Sequence, residues 1–430
     1  PCNCKTTPNS PRGTRATRSI KNRLIVDDRS FRMVGDIYSD VRRLGFYTYA
    51  LNCVRERARS RDYLLRQLSS KRKPHIRFKK MLAEAREVHG DETGVIGSHT
   101  VAKDYLAVGT CLDLLTTPAN LVAPSNYGRV VLNVHQHSAS PSFEDNYLAL
   151  STSDRMAYLR QILNIDGDFF LLLLSQFGQK DKASWKEIAE LFAVAMIEFL
   201  SFWRRRSRSS AMRVMAAKIL RDAQKNLVTG RKRKGPSAYI AHRTLSRLSW
   251  AIDLGLLRRQ AEFYVPTPLL QRLLEIEHFD IRAESEKHDS SPLLFDLDKE
   301  FFASALYREL AHIYVSGDCR NARENLSRDE FARMLQDAWD ASRSRIAPQA
   351  AISTLANTIA IRLLCAQKPI VLEIQDFLSL LKELKSNAKY QSRFWFTLNP
   401  RRREGYVMMK RRLAEPAVPE DPRLVLQGHV

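Results

Sequence analysis

Apolar residues recur along this chain at helical spacing, and each stretch that reads as a strand is short and closes a helical segment. That order limits the fold. Strands of this length cannot carry a large sheet, so the helices must bury one another and the strands can add only small hairpins. In "NLVAPSNYGRVVLNVHQH" (120–137), β-branched runs flank Pro124, Asn126 and Gly128, which predicts a hairpin. A β-run from Ala261 to Val265 ends at Pro266 and Pro268, "YLAL" (147–150) reads as a short strand, and "KPIVLEI" and "RFWFTLN" are strand-like farther on. The fold class expected is mainly α with short β-hairpins, in several domains.

The helices are carried by periodicity and caps. Leu51, Val54, Leu64, Leu65 and Leu68 supply the apolar positions of an arginine-rich stretch, and "VAKDYLAVGTCLDLLTT" (101–117) continues the pattern. "TSDRMAYLRQIL" opens another helix, and "DFFLLLLSQFG" (168–178) reads as an apolar helix ended by glycine. Ser184 with Glu187 three residues on forms a capping-box pattern ahead of a long helix. "LSRDEFARMLQDAWDASRSR", "APQAAISTLANTIAIRLLC" and "QDFLSLLKELK" are helices of a last segment. Three loose passes of helices followed by a short strand pair result.

The organisation expected is a flexible basic arm (1–20), a basic helical region (21–150) and a central domain (151–282). A polar, aperiodic linker (283–295), a C-terminal helical domain (296–412) and a proline-rich disordered tail (413–430) follow.

Charge points to the partner. The 430 residues carry a formal net charge of +22, and it is concentrated. Residues 1–100 hold 22 Lys and Arg against 10 Asp and Glu, and residues 201–235 hold 12 against one. Such clusters suit a polyanion, because neutralising phosphates releases condensed counterions. Arg204, Arg205, Arg206 and Arg208, then Arg231, Lys232, Arg233 and Lys234, are placed as phosphate contacts. Double-stranded DNA is the partner expected, with RNA and other subunits of a nucleoprotein complex as alternatives.

The stretch "AYIAHRTLSRLSWAID" (238–253) reads as an amphipathic helix. Ala241, Leu245, Leu248 and Ile252 share a narrow inward stripe, and Tyr239, Arg243, Ser246, Arg247 and Trp250 fall opposite. An outward face with two arginines, a hydroxyl and aromatics suits a DNA major groove, where arginine grips guanine bidentately. Gly255 is placed as the C-cap of this helix.

"HRTLSRLSWAIDLGLLRRQAEFYVPTP" resembles the recognition helix and wing of winged-helix DNA-binding proteins, mainly within residues 168–275. The resemblance implies that Arg243, Ser246 and Arg247 face the groove, with Arg258 and Arg259 on phosphates at the helix-to-wing junction. It implies winged-helix-like units acting in regulation, replication initiation, or the DNA-recognition part of a prokaryotic mobile-element or phage-defence system. One departure stands out: about 45 residues separate "SWKEIAELF" from this helix, where a tight helix-turn-helix has a short turn.

Catalytic patterns are sparse. His135 and His137 would share one face of a strand, as metal ligands can, but no neighbouring ligand completes a set, so no metal or cofactor is expected. Glu383-Leu384-Lys385 matches half of a nuclease pattern but falls in a helical stretch, which makes it helix surface. Phosphate-loop, dinucleotide, nucleophile-elbow and zinc-protease motifs are lacking. A binding protein is the expectation, and a nuclease or recombinase with an unrecognised site is the alternative.

Cys53, Cys111, Cys319 and Cys365 read as buried free thiols, and Cys2-Asn3-Cys4 as a lone pair on a polar terminus. The thiol pattern suits a reducing compartment. No run of apolar residues approaches a membrane span, the longest being "FFLLLL" at 169–174. The expected location is cytoplasmic and nucleoid-associated, and a chain opening on Pro1 suggests a trimmed or incomplete N-terminus.

Overall fold

Serine side chains start several of the helices. Ser98 Oγ accepts from Val101 N, while Ser151 and Ser327 complete capping boxes with Asp154 and Glu330, satisfying N–H groups that a helix start leaves free. The computed structural model describes residues 34, 37, 41–69, 96, 98–138, 148–178, 180–206, 210–232, 238–276, 305–315, 318–343, 348–399 and 404–410. Among them the chain is mostly helical with short, mainly antiparallel strands, so the expected mainly α class with hairpins holds. No helix of the described residues is long and apolar enough to cross a membrane. The arm (1–20), the linker (283–295) and the tail (413–430) lie outside the described residues.

One order of elements recurs three times. The first unit runs α1 (Gly45–Val54), β1 (Arg59–Ser60), α2 (Arg61–Ser69), α3 (His99–Cys111), β2 (Leu115–Thr116) and β3 (Leu121–Pro124). Helix α4 (Asn126–Ser138) follows it. The second unit runs α5 (Thr152–Leu174), β4 (Ala183–Ser184), α6 (Trp185–Arg206), α7 (Ser210–Lys232), α8 (Ala238–Asp253), β5 (Leu257–Gln260) and β6 (Phe263–Pro266). After it come α9 (Pro268–Glu275), α10 (Ala305–Tyr314), β7 (Arg320–Asn321) and α11 (Ala322–Asn325). The third unit has α12 (Arg328–Ser342), β8 (Gln349–Ala351), α13 (Ile352–Leu364), β9 (Ile370–Val371), α14 (Ile374–Ser386), β10 (Phe394–Asn399) and β11 (Glu404–Met409).

Beside a separate parallel pair formed by β7 and β9, the three three-stranded sheets of the described residues share one topology. Their orders are β1-β3-β2, β4-β6-β5 and β8-β11-β10, so each time the first strand pairs with the last, and the last two form a hairpin. In the second unit α7, which lies between α6 and α8 in the chain, packs along α6. The long interval before α8 is filled largely by the end of α6 and by α7.

Buried apolar side chains from Val34 to Met409 form a connected core. Polar ties join the units as well: Asn133 Nδ2 donates to Ser342 Oγ at 2.6 Å, and Thr354 Oγ1 to Asn126 O at 3.2 Å.

The structure corrects several sequence expectations. Residues 120–137 are not a hairpin: β3 pairs back with β2, inside the stretch read as helix 101–117, and Asn126–Ser138 is helical. Ser125 Oγ accepts from Gly128 N at 2.8 Å and starts the turn, and Val130, Val131 and Val134 are buried within the helix. Burial against neighbouring helices overrides the β-preference of these valines. "YLAL" is no strand, because Leu148 and Ala149 lie in a turn, and the two helices expected at 152–178 are largely one, α5. The β-run at Ala261–Val265 is instead a hairpin turning at Ala261 and Glu262, with Leu257–Gln260 as its first strand. None of the four described cysteines is in a disulfide, and none is fully buried: Cys53 and Cys319 are half-buried, Cys111 and Cys365 exposed.

Candidate nucleic-acid interface

Helix α8 ends as its sequence suggests. Gly255 adopts φ +75°, with Gly255 N donating to Ile252 O and Leu256 N to Ala251 O, the paired bonds of a glycine-terminated helix. Leu245, Leu248 and Ile252 are buried, as the inward stripe requires.

The opposite face is buried too, which overturns its reading as an outward, groove-facing surface. Arg243, Ser246, Arg247 and Trp250 are all interior, and Arg247 and Trp250 have 0% exposure. Arg247 grips Asp166 of α5 with two prongs, Nε to Oδ2 at 2.7 Å and Nη2 to Oδ1 at 2.6 Å. Val34 N donates to the same carboxylate at 2.8 Å. Burial pushes the Asp166 carboxyl above its usual range, opposed by the Arg247 charge and hydrogen bonds. Trp250 Nε1 donates to Val41 O, and Asp253 accepts from Arg43 Nε at 2.9 Å and from Leu44 N at 2.7 Å. Residues of the chain's own N-terminal part therefore cover the face. A helical wheel separates polar from apolar positions, but carboxylates elsewhere in the sequence can take the polar ones inside. Tyr239 is half-buried, with the Arg243 guanidinium 4.2 Å from its ring centre.

The described residues of the basic segment 201–235 fall on the end of α6 and on α7. Ala216, Ile219, Leu220 and Ala223 form the packed side of α7, while Lys218, Arg221 and Lys225 lie exposed at i, i+3 and i+7 on the other side. Arg204 and Arg205 are exposed near the end of α6. Arg206, Arg231 and Lys232 lie within the helices, but their side chains are outside what is described. Arg208, Arg233 and Lys234 lie outside the described residues.

In the β5–β6 hairpin, Arg258 is exposed and Arg259 half-buried, with Arg259 Nε donating to Ala261 O at 2.9 Å. Ser184 Oγ accepts from Glu187 N at 3.3 Å, so half of the expected capping box is present; the Glu187 carboxylate pairs with Lys180. His135 and His137 lie on helix α4, not on a strand, and His135 Nδ1 sits 3.2 Å from the buried Asp154 carboxylate. Glu383 is helix surface, as expected, paired with Arg328 Nε at 2.9 Å.

The third unit presents a surface that the sequence reading passed over. Lys385 Nζ lies 5.4 Å from the Phe396 ring centre, and Lys410 Nζ lies 4.7 Å from that of Trp395. Trp395 is 39% exposed. The signal was present in local charge density: residues 389–412 contain eight Lys and Arg against one acid, Glu404. Acidic residues around it nearly cancel it when the charge is summed over residues 236–430, which hold 28 Lys and Arg against 25 Asp and Glu.

Compared with family models, curated proteins and solved structures, the chain matches none.

Proposed function

We propose that this chain is a double-stranded DNA-binding protein built from three winged-helix-like units. The observation that carries the reading is the repeated strand order, in which the strand after the first helix pairs with the last strand of a terminal hairpin. That is the arrangement a winged helix needs, with the third helix beside the wing. The concentrated positive charge supports a polyanionic partner.

The reading shifts the contacts away from α8. Phosphate contacts are assigned to Arg204, Arg205, Lys218, Arg221 and Lys225 on the α6–α7 arm, with Arg258 on the second wing. A stripe of exposed cations on a long helix positions a duplex without reading its sequence. The settings such binding serves are regulation, replication initiation, or DNA recognition in a prokaryotic mobile-element or phage-defence system.

A titration of labelled duplex across salt concentrations tests it. Replacing Lys218, Arg221 and Lys225 by alanine is expected to flatten the log–log salt slope by up to about 2.7, at about 0.9 for each phosphate no longer neutralised. An unchanged slope sinks the phosphate assignment. Structured RNA competing better than duplex at equal salt sinks the choice of DNA.

A further inference from the structure

The β8–β11–β10 sheet has one face against helices and one face turned outward. Alternation along β10 sends Phe394 and Phe396 toward the core and Trp395 and Thr397 away from it. The register places Met408 opposite Trp395 and Tyr406 opposite Thr397, with Gln349 and Ala351 of β8 beside them. These six residues share one face. Its floor is fixed from behind: Val407 and Met409 are buried, Trp339 Nε1 of α12 donates to Val407 O at 3.2 Å, and Gly405 packs against α13. A Cβ at Gly405 would come 2.6 Å from Ile352 Cδ1.

Two properties of this face point to the same ligand. Trp395 is the only aromatic side chain among the exposed large apolar residues of the described structure, and it is carried on a paired strand. The ammonium of Lys410 stands over that ring, and the surrounding sequence is strongly cationic. Aromatic platforms edged with cations bind unpaired nucleotides, since every base has a face to stack and every linkage a phosphate to neutralise. A duplex cannot use such a platform in the same way, because its bases are already stacked and paired.

We propose that the outer face of the β8–β11–β10 sheet binds single-stranded DNA, with Trp395 stacking on an unpaired base and Lys410 contacting an adjacent phosphate. Lys410 covers the indole in the free protein and exchanges it for phosphate on binding. Tyr406 and Met408 extend the platform along the neighbouring strand, so a second base has an apolar floor. The proposal rests on the nucleic-acid reading above but uses a different surface and a different form of the polymer.

The test uses the full chain and three probes: an unstructured oligothymidylate, an abasic strand of the same length, and a duplex. Trp395→Ala is expected to weaken oligothymidylate binding about five- to 150-fold, the range for loss of one base–aromatic stack, while Trp395→Phe retains most of it. Lys410→Ala weakens oligothymidylate and abasic strand alike. Duplex affinity should change by less than about twofold with Trp395→Ala, because one exposed ring adds little to a phosphate-dominated contact. Trp395→Ala should also melt like the wild type, since the ring is not core.

Oligothymidylate binding unaffected by Trp395→Ala overturns the proposal, as does equal binding of the abasic strand by the wild type. A parallel loss on duplex and single strand overturns it in favour of a duplex-contacting wing. Duplex binding without dependence on Trp395 for single strands removes this inference and leaves the duplex reading standing. Single-strand binding through Trp395 with no duplex binding does the reverse.

Discussion

Arg247 and Asp166, 81 positions apart, close a two-pronged ion pair whose side chains are shut off from solvent. The pair fixes α8 to α5 and takes the polar face of α8 out of use as a DNA reader. Arg247→Ala or Asp166→Ala is expected to destabilise the fold by about 3–5 kcal/mol, because the remaining charge stays buried without its partner. Urea denaturation checks this. An Arg247→Ala protein of unchanged stability but altered sequence preference on DNA would restore the outward-facing assignment.

Gly128 lies in the first turns of α4, where a Cβ would stand 2.0 Å from the backbone oxygen of Leu114 and 2.8 Å from Leu51 Cδ2. Gly128→Ala cannot be relieved by turning a side chain. A loss at or beyond the upper end of about 1–3 kcal/mol is expected, read as a fall in denaturation midpoint.

Gly255→Ala tests the end of α8. The left-handed backbone there costs an L-residue roughly 1–2 kcal/mol, and the added methyl would meet Arg155 Nη1 at 3.0 Å. A thermal shift smaller than that of an ordinary surface substitution would show that the turn relaxes.

Glu330 supplies a pH dependence with a definite sign. Its carboxylate accepts from Ser327 Oγ at 2.7 Å and from Ser327 N at 3.1 Å, which holds its pKa below the ordinary 4.5. The stability linked to a depressed carboxyl is fully present above the unfolded-state value and is lost as pH falls through the folded-state value. Ser327→Ala should therefore cost about 1 kcal/mol at neutral pH and less once the pH has fallen through the folded-state value and the carboxyl is protonated. Denaturation curves across a series of falling pH values decide it, and a cost that stays constant through the series removes the ionised cap.

The legible parts of this fold were those with a single strong period. "QDFLSLLKELK" has apolar residues on one side only, and "RFWFTLN" alternates, so α14 and β10 are readable from the chain. Helix α4 was not, because its valines have the composition of a strand and only burial on several sides makes them helical. The role of α8 was hidden for a different reason. Amphipathicity was real, but the carboxylate of Asp166 and the backbone of Val41 decide what Arg247 and Trp250 face, and Arg43 takes the Asp253 carboxylate at the end of the helix. The exposed surface at Trp395 was hidden by arithmetic, since a charge total over residues 236–430 is near neutral and erases a local cluster.

The Arg43–Asp253 contact has a consequence for biosynthesis. The two residues are separated by 210 positions, and Leu44 N uses the same carboxylate. At translation rates of about 5–20 residues per second, Arg43 leaves the ribosome roughly 10–40 seconds before its partner. During that interval the first unit has no anion for a guanidinium that its finished core encloses. Its docking surface therefore stays open while the second unit is still being made, and the nascent chain needs protection from aggregation until α8 arrives.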